Sequence, residues 1–382
     1  RRFGSVAKHA NGKGVLIGII DVQGFDFAHQ DFLDAQGRTR WISIWDQGGQ
    51  AKPGKKPPFG YGAEIAAAEM AAALQAAPTV GAPATELEPQ SQMDPGSHGT
   101  HVASIAAGNL GVCREAMIAG VLVSLGREDE DRRRSFYDST RLAHAVDYLI
   151  DLAAKVGASA VSMNISLGTN GHAHDASAPV NRWIDAQLSV PGRSVCVAAG
   201  NAGQERAESP DDFGFVMGRI HTSGQIAAAG LERDLEWMVI GNTVVDVSEN
   251  ELELWFSPQD RIEVSIRTPA GQWIGPVRPR QFIENQQLPD GSFVSIYNEL
   301  YYHANGANYI AIYLSPFLSP QRVVGVPAGK WIVRLRGIEI RDGHYHGWIE
   351  RDDPRPLGPL EPNREAWSFP SFFSEGTNVD DC

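Results

Sequence analysis

The sequence predicts an α/β fold, a doubly wound and mostly parallel sheet, with an inserted antiparallel β-sandwich. Three observations carry this expectation. Apolar runs such as Val15-Leu16-Ile17-Gly18-Ile19-Ile20 lack the alternation of a half-solvated sheet and suit strands covered on both faces. Between 96 and 210, helix and strand patterns alternate. From about 226 to 350 that rhythm gives way to short period-two runs separated by turn residues, the signature of an antiparallel sandwich.

In chain order, 14–21 is a buried strand ending on Asp21, and Arg40-Trp41-Ile42-Ser43-Ile44-Trp45 is a second strand. Residues 51–95 read as a Pro/Gly-rich loop, an alanine-rich helix over 62–76, and another loop. A helix begins at 102–108 and a strand follows at 117–125. The spacing of Leu142, Ala145, Val146, Leu149, Leu152 and Ala153 makes 139–156 an amphipathic helix. Strands are expected at 160–167 and 195–199, the second of them buried, and 202–225 is read as loop. Sandwich strands are expected at 251–256, 261–266, 293–297, 309–313 and 331–335. Of the aromatics Trp255, Tyr297, Tyr301, Tyr302 and Trp331, most alternate with polar residues as core positions do, and Tyr301 and Tyr302 beside His303 are the least explained. The domains are then 1–225, 226–350, and a return segment over 351–382.

Four motifs carry chemistry. Gly96-Ser97-His98-Gly99-Thr100-His101-Val102-Ala103 sets a histidine where a polar turn enters a small-residue helix, exposed at one end and rigidly held at the other. Asp21 ends a strand at the sheet edge where open α/β folds place their sites, and a carboxylate there can orient a histidine. Asn201 closes Val197-Ala198-Ala199-Gly200-Asn201, where a side-chain amide can donate to an oxyanion. Ser166-Leu167-Gly168 ends another strand, an edge that can pair with an extended peptide. Each motif alone has a plainer reading, as a cap, a strand end or a turn.

Taken in this order, Asp21, HGTHVA at 98–103, SLG at 166–168 and AAGN at 198–201 resemble a subtilisin-like serine peptidase over roughly 10–210. The resemblance implies Asp21 as orienting acid, His98 as general base, Asn201 as oxyanion donor, and Ser166, Leu167 and Gly168 as lining of the substrate cleft. The helix ahead of HGTH and the inserted, jelly-roll-like sandwich resemble the spore-germination-protease-like branch. Two features depart from the pattern. Asp21-Val22-Gln23-Gly24 has one residue more than the usual Asp-x-Gly, and no Gly-Thr-Ser-x-Ala-x-Pro segment occurs in the 382 residues. The nearest string, Glu375-Gly376-Thr377-Asn378, has asparagine in place of serine. The expectation is therefore a chain that stops before its serine-bearing segment and is inactive alone. It should leave apolar surface around Val102, Ile105 and the strands ending at Asp21 and Asn201. Two alternatives stand beside it: a non-catalytic pseudoprotease that binds peptide or a partner protein, and a sandwich binding protein on a degenerate scaffold.

A net charge of −13 gives nothing to neutralise phosphates, so nucleic acid is not expected as a partner. No apolar run reaches the ~18 residues of a membrane helix. The expected partners are a peptide or protein substrate and the chain's own C-terminal remainder as a second chain. Secretion is implied only by the family resemblance. Three cysteines imply no disulfide framework, and Cys113 and Cys196 are read as packing residues. No cofactor or metal is expected. Asp342-Gly343-His344-Tyr345-His346 is set aside as a metal site. A calcium site at Asp31, common in the resembling family, is expected to be absent because the path from His98 to Val112 offers too few oxygens.

Overall fold

The computed structural model describes residues 11–92, 97–124, 139–168, 170–200, 220–319, 321–349, 355–357, 366–368 and 371–374. The chain forms two compact units. The first comprises Arg1–Gly168 and Pro179–Ala198, the second Thr169–Ala178 and Ala199–Cys382.

The first unit is built on a six-stranded sheet. Its strands are β1 (Val15–Asp21), β2 (Trp41–Asp46), β3 (Ala63–Ala66), β4 (Met117–Leu122), β5 (Ala160–Ile165) and β6 (Arg193–Val197), in spatial order β3-β2-β4-β1-β5-β6. All neighbours are parallel except β2 and β3. Helices α1 (Ala67–Val80), α2 (Ala84–Leu87) and α3 (His98–Ala107) lie on one face, and α4 (Thr140–Lys155) and α5 (Pro179–Leu188) on the other. Both faces of β1 are therefore covered. Ile17 and Ile19 pack toward α3, while Leu16 and Ile20 pack toward α4. Gly18 is pressed against Leu149, where an added Cβ would lie 2.5 Å from that side chain.

Three expectations need correcting here. Residues 63–66 of the predicted 62–76 helix form β3 instead, paired to the edge of β2 with Ile65 buried, and the helix runs from Ala67 to Val80. Sheet pairing overrides the local helical composition there. Helix α5 was not anticipated. Most importantly, β6 is exposed, not buried. Cys196 is exposed on the α3 side, where no described helix covers β6, and Val197, level with Ile165 on the α4 side, is 62% exposed.

The second unit packs two antiparallel sheets on one apolar core. One sheet has the order Phe282–Gln287, Phe293–Glu299, Asn308–Ser315, Asn250–Phe256, His344–Ile349, His221–Gln225. The other runs Trp273–Val277, Arg261–Arg267, Gly329–Glu339, Glu232–Val239, Phe372–Phe373. Residues His221–Gln225, read from sequence as loop, are thus a strand. Of the aromatics read as core-like, Trp331 lies between the sheets. Trp255 and Tyr297 alternate with core residues Leu254 and Ile296, and so occupy the opposite, outer face of the six-stranded sheet. Tyr301 is exposed in a turn.

Candidate active site

Side-chain alternation along β1 places Asp21 on the same face as Ile17 and Ile19, the face covered by α3. It ends the strand at the carboxyl edge of the sheet, level with Leu122 of β4, itself level with Asp46 of β2. The Asp21 side chain is fully buried. His98 is the first residue of α3, and its Nδ1 lies 2.7 Å from Asp21 Oδ2. A carboxylate at that distance accepts the Nδ1 proton and leaves Nε2 as the basic nitrogen. The His98 side chain is 51% exposed, so a group that must meet substrate is open at one end and anchored at the other. Burial pushes the Asp21 carboxyl above its ordinary value; the Gln23 N–H and His98 draw it back without cancelling that effect.

One of the two residues between Asp21 and Gly24 completes this arrangement. Gln23 N donates to Asp21 Oδ1 at 3.0 Å, and Gln23 Oε1 accepts the His98 backbone N–H at 2.7 Å. One residue therefore touches both members of the pair and caps a free N–H at the start of α3. Ser97, at the cap position, does not cap the helix with its side chain. Its hydroxyl binds the Gly24 carbonyl and Thr100 Oγ1, and Thr100 Oγ1 accepts the Asp26 N–H at 2.8 Å. Gln90 brackets the same loop, with Oε1 accepting from Phe25 N and Nε2 donating to Phe25 O. The loop 23–26 is thus bonded to α3 along its length, and Gly99 allows the approach. A Cβ there would sit 2.4 Å from Gln23 O and 2.8 Å from Phe25 Cε1. Beside it, buried Asp46 accepts from Ser91 N, Ser91 Oγ, Ser124 Oγ and Gly48 N. Gln23 and Gln90 were not anticipated; the only sequence signal was the extra residue between Asp21 and Gly24.

Ser166, Leu167 and Gly168 follow β5 at the same edge. Ser166 N donates to Ile20 O at 3.4 Å, and Asn164 Nδ2 donates to Ser166 Oγ at 2.8 Å. Leu167 is half-buried and Gly168 exposed. Asn201 lies outside the described residues; Gly200, just before it, takes a left-handed turn at φ 90°. Asp31 is occupied structurally, Oδ2 accepting from Ser104 Oγ at 2.6 Å and Oδ1 from Leu110 N at 3.3 Å. His344 and His346 share one strand face; His344 pairs with Asp342, and His346 Nδ1 lies 3.1 Å from His221 Nε2. No group of three or more metal-ligating side chains converges among the described residues.

Residues 12–312 match the Subtilase family. Among solved structures, the chain is similar to the CspB protease of Clostridium perfringens, with a TM-score of 0.70 and 21% identity over 98% of this chain and 67% of that one. At that identity the likeness shows the fold. No curated protein matches the chain.

Proposed function

The chain belongs to the subtilase family, and from that premise we propose that it supplies the acid and base of a serine endopeptidase that cleaves peptide bonds by acyl transfer. The observation that carries the reading is the buried Asp21 carboxylate, 2.7 Å from the Nδ1 of a half-exposed His98. In this reading His98 Nε2 takes the proton of a serine hydroxyl as that oxygen attacks the substrate carbonyl. Asp21 holds the imidazole and stabilises its charged form. His98 then returns the proton to the leaving amine. The Asn201 amide and a backbone N–H donate to the tetrahedral oxyanion, and Ser166, Leu167 and Gly168 pair with the extended peptide.

In this reading the serine is supplied by a segment carrying Gly-Thr-Ser-x-Ala-x-Pro that acts as a second chain. The exposed apolar side chains of Ile105, at 71%, and Val112, at 76%, support a surface for such a segment. Val102, by contrast, is half-buried. No helix of the described residues is long and apolar enough to cross a membrane, and secretion, frequent among subtilases, is the location we propose.

The test is casein hydrolysis by the chain alone and by the chain combined with a segment carrying Gly-Thr-Ser-x-Ala-x-Pro. Alone, no activity above background is expected, since loss of the nucleophile costs about 10⁶-fold in subtilisin. Combined, the expected activity is blocked by a fluorophosphonate and abolished by His98→Ala. Fluorophosphonate-sensitive hydrolysis by the chain alone would overturn the placement of the serine. Hydrolysis indifferent to His98→Ala would overturn the assigned roles, and peptide binding without hydrolysis in the combined sample would favour a pseudoprotease.

A further inference from the structure

The segment 169–178 leaves the α/β unit just after Ser166-Leu167-Gly168 and belongs to the second unit. Its residues 170–178 lie on the outer face of the second unit's six-stranded sheet and are fastened at three nearby points. The His172 N–H donates to Glu253 Oε2 at 2.6 Å. The His174 ring stacks on Trp348, with centroids 4.0 Å apart and planes 14° apart. Asp175 Oδ2 accepts from Asn305 Nδ2 at 2.9 Å. The His174 ring also closes the segment on itself, its Nε2 lying 3.1 Å from the Asn170 carbonyl oxygen.

Two further features set this segment apart from a loop draped over a surface. His172 and Ala176 both hold left-handed backbone, at φ 70° and 61°. Residues with a Cβ keep that conformation only where their surroundings over-determine it. The first strained residue is also the one whose N–H Glu253 accepts. In addition, Glu253 and Trp348 are directly paired on neighbouring strands and are both buried, on the face of the sheet that points away from its apolar core. A buried carboxylate needs hydrogen-bond donors, and Glu253 finds them in His172 N and Trp255 Nε1 at 3.1 Å. Without the segment, Glu253 would lose one of these donors and Trp348 the nearest of the three rings packed on it, those of His174, His221 and His346.

We infer that Glu253, Trp348 and His174 are positioning residues: they pin the strap 170–178 and thereby set the path of the segment ahead of it, Ser166-Leu167-Gly168. This rests on the reading of 166–168 as the peptide-pairing edge. The geometry suits that edge, because Leu167 and Gly168 have no backbone hydrogen bond among the described residues, and Gly168 has open space where a Cβ would be. An edge with so little support of its own takes its course from whatever holds the chain on either side. On one side that is β5; on the other it is the strap.

The test uses the full chain and the exposed residue His174, whose replacement does not threaten the core. Hydrogen exchange followed by mass spectrometry compares wild type, His174→Ala and His174→Phe, with Glu253→Ala as a second lesion at a different contact. The expected result is at least about tenfold faster exchange across 172–178 and also at Ser166, the amide of 166–168 that is bonded, to Ile20 O, in His174→Ala and Glu253→Ala. Exchange in β1 should be unchanged. His174→Phe, which keeps the stacked ring, should restore slow exchange in both segments. Binding of fluorescein-labelled casein, read by anisotropy, should weaken severalfold in His174→Ala and recover in His174→Phe. Faster exchange in 172–178 with Ser166 unchanged would overturn the inference, as would a failure of His174→Phe to rescue. If wild type does not bind casein, the peptide-edge reading fails instead, while the exchange data still decide whether the strap governs 166–168.

Discussion

Gly99→Ala sets two effects of opposite sign against each other in one methyl group. In an ordinary helix the change stabilises by about 1 kcal/mol, because glycine loses more backbone entropy on folding. Here the new Cβ would lie 2.4 Å from Gln23 O and 3.0 Å from Gly24 O, both backbone atoms of a loop bonded to α3 on several sides. Reaching ordinary contact requires a shift of roughly 1 Å, and overpacking of this kind costs about 1–3 kcal/mol. The same shift carries the His98–Asp21 contact from 2.7 Å to beyond hydrogen-bond range and leaves a buried carboxylate short of a donor. Loss of that charge-assisted bond adds about 1.5–3 kcal/mol. The net expectation is a destabilisation of about 2–4 kcal/mol, or on the order of 10 °C in Tm for a unit of this size. Calorimetry supplies the Tm, and proton NMR shows whether the far-downfield resonance of a carboxylate-bound Nδ1–H survives. Gly168→Ala, whose Cβ meets nothing, is the control and should stay within about 0.5 kcal/mol. A Gly99→Ala protein that melts at or above wild type and keeps the downfield proton would refute the reasoning.

Burial raises the Asp21 pKa, so the stability this carboxyl contributes is complete below its unfolded value and lost as pH rises through the folded one. Asp21→Asn should therefore hold or raise Tm at pH 7, with the difference from wild type closing toward pH ~3; a loss at pH 7 would contradict this. For Glu69, burial opposes ionisation, but hydrogen bonds from Lys52, Lys55 and the Ala66 N–H outweigh it and hold the pKa at about 2. Its contribution is present above about 4.3 and lost as pH falls through about 2, so Glu69→Gln should cost ~0.5 kcal/mol at neutral pH and nothing near pH 2. Since both Asp31 oxygens already accept protein hydrogen bonds, neither EDTA nor added Ca²⁺ should move the Tm of wild type differently from that of Asp31→Asn. Cys196 should react with Ellman's reagent faster than the half-buried Cys113, as stopped-flow absorbance would show.

Legibility followed the range of the interactions involved. Strand β1 was readable because an apolar run ending in a carboxylate is a local statement; the helix that carries His98 was expected only from 102, four residues later than the start of α3 at His98. The partnership of Asp21 and His98, 77 residues apart, came through only as a resemblance. Where a distant surface decides, sequence misled. Residues 63–66 have helical composition, yet the edge of β2 claims them. The run at 193–197 looks like a buried strand, but burial depends on whether a neighbour covers it. Alternation likewise sorted the sandwich residues into two faces without saying which one turns inward, so Trp255 and Tyr297 were placed on the wrong side. Helix α5 did carry helical spacing in Val180, Trp183, Ile184 and Leu188, too short a run to stand out beside α4. The lengthened turn after Asp21 was legible, but not that its Gln23 bonds to both members of the pair.

The strap has a consequence for the order in which the protein can be made. Glu253 follows His172 by 81 residues, and Asn305 follows Asp175 by 130. A ribosome adding about 5–20 residues per second reaches these anchors on the order of ten seconds after the strap has emerged. During that interval the strands β1 to β5 are already available to pair, while the two left-handed residues of the strap have nothing to hold them. The edge at 166–168 is therefore among the last parts of its sheet to take final form, assembled only once the far end of the chain has been synthesised.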